Sequence, residues 1–352
     1  MKTMTQFLFA ALTAGLALAS PAAPQKFKER DFKPFETSRP RPADFDAYWD
    51  GELARQRKEV PLSKAKVRIV EVPEKAPKGF RLYDVMVPAL GERPVHGYLT
   101  VPVGAKPKTL PLYVRFGGAG TKSAPIYKFD NAISFSTNPN GCENGRDEAF
   151  YKEFFDTVMK SYEHRGWASR ETCFFHDQIL RTARALEWAK TRPEWNGRDI
   201  AVEGKSMGGA QVIFAAAVDP DVTLCAPEDP GMCDHAGEYD PVHPRKPGWP
   251  QIMNHYRHTP QYAKDGLDEE KFLAITDYFD NCFFASRISK KCKTFYATGF
   301  CDGTCPAEGV FIAYQNTPGE KQMTVDSKAR HCQTNNRAFE KAWQEVRDRV
   351  KK

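Results

Sequence analysis

The stretch Asp199 to Ala217, DIAVEGKSMGGAQVIFAAA, constrains this chain more than any other. Ile200, Ala201 and Val202 read as a short buried strand, Gly204-Lys205-Ser206-Met207-Gly208 turns sharply, and Ala210, Val212, Ile213, Ala215 and Ala216 supply an apolar helix. A Gly-x-Ser-x-Gly run between a strand and a helix suits a nucleophile elbow, in which the turn holds Ser206 Oγ above the strand ends. Gly204 and Gly208 remove side chains that would collide where the chain doubles back, and Gly209 lets the helix pack close behind. Two other readings compete. Ser206 could simply cap the helix. Gly204-Lys205-Ser206 is also the tail of a phosphate-binding loop, but that loop needs its first glycine where Asp199 stands and a flexible cradle where Ile200-Ala201-Val202-Glu203 reads as strand. The five residues alone leave cap and nucleophile open; their surroundings decide.

At 352 residues the chain can bury the core of one large α/β domain with decorations. Its net charge of +6 is spread along the sequence, with no basic run interleaved with aromatics, so no nucleic-acid partner is expected. Residues 1–19 carry Lys2, an apolar run from Phe7 to Leu18 and an Ala17-Leu18-Ala19 ending. This segment is too short to span a bilayer comfortably and reads as a secretory signal cut near Ala19. The expectation is an exported protein, periplasmic or secreted, without a membrane span. The nine cysteines permit disulfides in that compartment, although an odd count leaves at least one without an intrachain partner.

Residues 20–60 read as an N-terminal arm rich in proline followed by a helix that Asp44 would cap, with Phe45, Tyr48 and Trp49 on one face. Residues 61–352 read as the main domain. Alternating stretches near Val67 to Val72, Leu82 to Val87 and Val95 to Pro102 predict strands, as do Leu112 to Phe116, Ala132 to Ser136, Val222 to Ala226, Thr294 to Gly299 and Gln322 to Val325. Helical spacing appears around Ile179, Ala183 and Leu186 and again in a last helix expected to bury Phe339, Trp343, Val346 and Val350. Strand and helix alternate over short links, which predicts a mostly parallel central sheet flanked by helices. Residues 228–287 break the pattern with prolines and aromatics, among them Tyr239, Trp249, Tyr256, Tyr262, Tyr278 and Phe279, and read as a cap-like insertion forming part of a pocket; the aromatic faces could stack on sugar rings, but ordinary cap packing explains most of them. Within it Cys233, Asp234, His235, Glu238, Asp240 and His243 crowd together, but their spacing matches no paired zinc pattern and a solvated loop is expected.

The remaining site residues follow from chain order. Gly117-Gly118-Ala119-Gly120 follows a buried strand, so the backbone N–H of Ala119, with that of Met207 just after the serine, could point at a developing oxyanion. In α/β hydrolases the acid and the histidine follow the serine, each in a loop after a later strand, and Asp302 and His331 occupy those places. Of the eight histidines only His331 falls between a last strand and a last helix; Asp229 and Asp280 rival Asp302 but come at the wrong stage. Ser206, His331 and Asp302 would hydrolyse an ester through an acyl-serine, with no metal or organic cofactor needed. Cys301, Cys305 and Cys332 flank the acid and the base, and a bridge from the acid loop to Cys332 would pin their geometry.

The sequence resembles the acetyl xylan esterase and cephalosporin C deacetylase family, carbohydrate esterase family seven. The likeness runs from Arg41-Pro42-Ala43-Asp44-Phe45-Asp46-Ala47-Tyr48-Trp49 through Val95-His96-Gly97-Tyr98-Leu99, Gly204-Lys205-Ser206-Met207-Gly208-Gly209 and Asp302-Gly303-Thr304-Cys305-Pro306 to His331. It implies the α/β-hydrolase fold, deacetylation of short acyl esters on small carbohydrates such as xylo-oligosaccharides, and in many members a homo-oligomer. The chain departs from the family pattern at Met207, where glutamine is usual, at Asn138-Pro139-Asn140-Gly141 in place of Arg-Gly-Gln, and at Cys332 in place of glutamate. Another hydrolase of this fold, peptidase or lipase-like, and a non-catalytic sugar-binding protein are the alternatives.

Overall fold

A computed structural model describes residues 36–350, apart from 121, 240–245, 251, 254, 255, 335 and 336 and the side chains of 239, 338, 339, 343, 346, 347, 349 and 350. The expected leader, most of the arm and the side chains of Phe339, Trp343, Val346 and Val350 therefore lie outside the described residues. Nine strands form one sheet in the order β1-β2-β3-β5-β4-β6-β7-β8-β9. They are β1 (Arg68–Glu71), β2 (Phe80–Val87), β3 (Val95–Pro102), β4 (Leu110–Phe116), β5 (Ile133–Asn138), β6 (Trp195–Lys205), β7 (Leu224–Glu228), β8 (Lys293–Gly299) and β9 (Lys321–Asp326). β1, β2, β3 and β5 pair antiparallel; from β5 through β4 and on to β9 every pairing is parallel. The reversal of strand order at β5-β4-β6 brings the loops after β4, β5 and β6 to one rim, where such sheets carry their sites.

The helices are α1 (Phe45–Glu59), α2 (Glu148–Phe154), α3 (Phe174–Ala189), α4 (Met207–Val218), α5 (Pro260–Lys264), α6 (Glu269–Thr276), α7 (Asn281–Ala285), α8 (Ala307–Asn316) and α9 (Arg337–Val350). Burial explains the composition. Every residue of α4 from Met207 to Ala217 is buried, and β7 is buried throughout. These elements are covered on both sides, which is why they read as continuous apolar runs. At the sheet's edge all four residues of β1 are exposed, and its alternation follows the pleat without a buried face.

One local expectation needs correcting. Asp44 stands at the N-cap of α1 but makes no capping bond; it accepts from the Tyr278 hydroxyl and from Arg170 at 3.1 Å, so the helix start is tied to the insertion between β7 and β8. Most insertion aromatics do not face a pocket. Tyr256 and Phe279 are fully buried, and Tyr278 stacks on Phe45. With Trp49, Trp167 and Phe272 they extend the main hydrophobic core of the domain into the insertion. Aromatic burial at this scale holds the insertion to the domain. The arm's end docks there too, with Arg39 paired to Asp277 at 2.9 Å and Ser38 donating to Asp234 at 2.7 Å.

Candidate active site

Ser206 sits between β6 and α4 with φ 57° and ψ −121°, a backbone conformation that side chains rarely adopt. Close packing of backbones enforces it. A Cβ on Gly204 would lie 2.5 Å from the Gly208 carbonyl, and one on Gly208 would lie 2.3 Å from the Phe116 oxygen. Both distances are shorter than real contacts, so only glycine fits. Although Ser206 precedes the helix, its side chain makes no capping bond. The capping alternative is thereby removed.

The hydroxyl is engaged elsewhere. Ser206 Oγ lies 2.9 Å from His331 Nε2, and His331 Nδ1 lies 2.7 Å from Asp302 Oδ2. An ionised carboxylate only accepts, so Nδ1 carries the proton and Nε2 is left to accept from the serine. Asp302 is itself fixed: its Oδ1 accepts the backbone N–H of Thr304 at 2.7 Å and of Cys305 at 2.9 Å. Burial disfavours charge on His331, but the Asp302 hydrogen bond, with Cys305 and Cys332 adding to it, raises its pKa above the ordinary imidazole value. Burial pushes the Cys305 thiol up to about 12, so it stays protonated at neutral pH.

A residue set aside as a rival acid has a different place. Asp229 follows β7 with φ 43°, and its carboxylate accepts Gly299 N at 2.8 Å and Cys332 N at 3.0 Å. It thus ties the end of β8, which leads to Asp302, to the loop carrying His331. Burial pushes its carboxyl up to about 6, against the Gly299 bond and with help from neighbouring Asp302 and Glu228. Asp280, the other rival, accepts the N–H groups of Asp234 and His235 at 2.9 and 2.8 Å and has no part in the site.

Ala119 and Met207 line the same cleft as Ser206 and His331. Met207 is the first residue of α4, so its N–H has no acceptor within the helix and is free for an incoming oxyanion. The glycine-rich loop is positioned by side-chain amides that sequence reasoning did not single out. Gln211 Nε2 donates to Gly117 O at 3.0 Å, Asn140 Nδ2 donates to Gly120 O at 2.8 Å, and Asn138 Nδ2 donates to Lys122 O. Two of these lie in the Asn138-Pro139-Asn140-Gly141 segment, so the residues that depart from the family pattern brace the glycine-rich loop here. Met207 Sδ accepts from Gln178 Nε2 at 3.0 Å.

The cleft has a volume of about 220 Å³ and is walled by Tyr162, Trp249 and Cys305. It falls below the usual range for small-molecule pockets, about 300–1,000 Å³, and leaves room for a small acyl group beside the serine. Of the insertion aromatics whose side chains are described, only Trp249 reaches it, packed against Phe175 at 4.5 Å; Tyr162, from outside the insertion, was not anticipated. Among the described residues, one group gathers three metal-ligating atoms within 4.8 Å, and it is Asp302, Cys305 and His331 themselves. Cys233, Asp234 and His235 are buried rather than solvated; Asp240 and His243 lie outside the described residues. All nine cysteines are free thiols, so the bridge from the acid loop to Cys332 is not formed, and Cys301 Sγ instead lies 3.6 Å from Ser327 O.

A family model described as acetyl xylan esterase (AXE1) matches residues 28–346. An acetyl esterase, Axe7A, of Xylanibacter ruminicola is 26% identical over 303 residues, which is 83% of this chain. This chain spans 64% of that relative's length. Among solved structures, an acetyl xylan esterase from a Paenibacillus species superposes with a TM-score of 0.71 at 24% identity, over 88% of this chain and 95% of the other. Acetyl Xylan Esterase 1 from a Thermoanaerobacterium species gives 0.70 at 21% identity with the same coverage. At these identities the structures establish the fold, the α/β-hydrolase arrangement of a mostly parallel sheet flanked by helices. No helix among the described residues is long and apolar enough to cross a membrane.

Proposed function

Because the chain belongs to the acetyl xylan esterase family, we propose that it is an exported serine esterase removing acetyl or similarly short acyl groups from carbohydrate esters such as acetylated xylo-oligosaccharides. The observation that carries this reading is the continuous contact Ser206 Oγ to His331 Nε2 to His331 Nδ1 to Asp302 Oδ2, at 2.9 and 2.7 Å, on a strained elbow. Neutral His331 takes the serine proton as Oγ attacks the ester carbonyl, and Asp302 holds the tautomer and steadies the imidazolium. The oxyanion receives the N–H groups of Ala119 and Met207; one such donor is typically worth about a hundred- to a thousandfold in turnover. As the intermediate collapses and its bond to the sugar oxygen breaks, His331 gives the proton to that oxygen, which leaves as a hydroxyl. Water, deprotonated by the same ring, releases the acyl group.

The small cleft volume supports a short acyl chain, and the Trp249 and Tyr162 faces support a sugar on the leaving side. The apolar residues from Phe7 to Leu18 support export. Acetate release from acetylated xylo-oligosaccharides, run beside Ser206→Ala and a nitrophenyl ester series of rising acyl length, tests the reading. Equal rates with the alanine variant, or faster turnover of long acyl esters or aminoacyl substrates, would overturn it. Amino-terminal sequencing of protein recovered outside the cytoplasm tests export.

A further inference from the structure

A second hollow, of about 440 Å³, lies over the antiparallel strands, lined by residues of β1, β2 and β3, by Pro94 just before β3 and by the loop after β5. The sheet register builds its floor. Arg68 of β1 is the direct partner of Met86 on β2, Met86 of His96 on β3, and His96 of Asn138 on β5. Partners in adjacent strands share a face, so Arg68, Met86 and His96 form one row. Asp84, two residues before Met86, lies on the same face, and Glu143 to Arg146 fold over it as a wall.

The hollow is on the rim that carries Ser206. Phe116 of β4 pairs with Gly204 and with Thr137, one residue before the partner of His96. From β6 to β3 is three strand spacings, roughly 15 Å along the rim. An extended oligomer seated over Ser206 could therefore reach it.

Its chemistry selects the ligand class. Arg68 pairs with Asp84 at 2.8 Å and Arg146 with Glu143 at 3.0 Å, so each cation is matched by a carboxylate of the same wall. Asn144 Nδ2 donates to Asp84 at 2.8 Å. Such a lining has no net charge to offer an ion, yet presents donors and acceptors side by side. His96 is only 6% exposed, and its Nδ1 has no hydrogen-bond partner among the described residues. Leaving a buried polar nitrogen unsatisfied costs about 1–3 kcal/mol, and a group that both donates and accepts would remove that cost.

We propose that this hollow is a second saccharide-binding site, which holds an unacetylated stretch of a neutral oligosaccharide while an esterified unit reaches Ser206. The identity of the oligomer as a xylose chain rests on the esterase reading; the polyol class does not.

The test uses the full chain carrying Ser206→Ala, titrated with linear unacetylated xylo-oligosaccharide and, separately, with inorganic phosphate. The His96 ring resonance is assigned by its loss in His96→Gln. The sugar is expected to move that resonance saturably, phosphate is not, and Arg146→Ala should weaken the apparent affinity about fivefold, the worth of one hydrogen bond. Arg146 is half exposed, and an unchanged melting temperature checks that its variant is folded. On long acetylated chains, Arg146→Ala in the otherwise unaltered protein should raise KM and leave kcat alone. A His96 signal that ignores the sugar, one that responds to phosphate instead, or an affinity and KM indifferent to Arg146→Ala would overturn the proposal. Absence of Ser206-dependent acetate release would instead sink the esterase reading, and a saturable His96 response would survive it.

Discussion

The two halves of the candidate active site are held by different means. The serine half is shaped chiefly by backbone contact within one turn, Gly204 against Gly208 with Ser206 forced to φ 57°, backed by the end of β4 where Gly208 meets Phe116. The acid and base half is assembled from loops far apart in sequence, with Asp302 and His331 separated by 29 positions and joined through Asp229, which bonds Gly299 and Cys332. Steric constraint within one turn leaves a motif. Hydrogen bonds between loops leave only single polar residues whose meaning depends on what lies opposite.

The largest effect should come from the serine side. Ser206→Ala is expected to lower kcat on an acetyl ester by about a millionfold, the scale seen when a triad nucleophile is removed. A loss of only tenfold would break the assignment. On the other side, Asp302→Asn should cost about ten-thousandfold, because the amide favours the wrong imidazole tautomer. The same variant should move the pH profile. His331 must be neutral to act, so activity rises with pH as its proton leaves; its raised pKa puts that limb above the ordinary imidazole range near 6.5. Removing the Asp302 charge removes the first cause that raises it, and the limb should shift to lower pH in a kcat/KM titration.

Asp229→Ala sharpens the comparison most directly. If Asp229 positions rather than reacts, kcat should fall by up to about a hundredfold, the cost of misplacing catalytic groups by about an ångström. KM for a small ester should hold, and the pH limb should keep its place, since the Asp302–His331 bond is unbroken. A loss as large as that of Asp302→Asn would instead make Asp229 a second catalytic acid. The smallest effect belongs to the brace on the glycine-rich loop. Asn140→Ala frees Gly120 O, and about a fivefold drop in kcat is expected from one lost hydrogen bond.

The same division governs what could be read in advance. The strands, the elbow and the positions of Asp302 and His331 all carry local or ordinal signals, either a period, a glycine pair or a place in the strand order. The helices α2 and α8 were not anticipated, nor was it legible which of the insertion aromatics would reach the cleft. Tyr256 and Phe279 look alike in sequence whether they line a pocket or pack against Trp49 and Phe272; only the fold of the insertion over α1 sends them inward. Asp229 was dismissed because it follows β7 rather than β8, a correct rule for the acid that says nothing of a clamp. Asn138, Asn140 and Gln211 each carry an amide that could bond anything nearby.

By itself the sequence determined that a strand must turn through Ser206 into a buried helix, since no residue larger than glycine tolerates the backbone approach on either side. Tertiary structure alone decided the distances at which Ser206 Oγ meets His331, that Asp229 ties the end of β8 to the His331 loop, and that Arg68, Met86 and His96 line up beneath a hollow. The reason is range. Steric exclusion acts between near neighbours and is written in residue size, whereas a hydrogen bond or a cross-strand row needs partners that only the closed sheet brings to one rim.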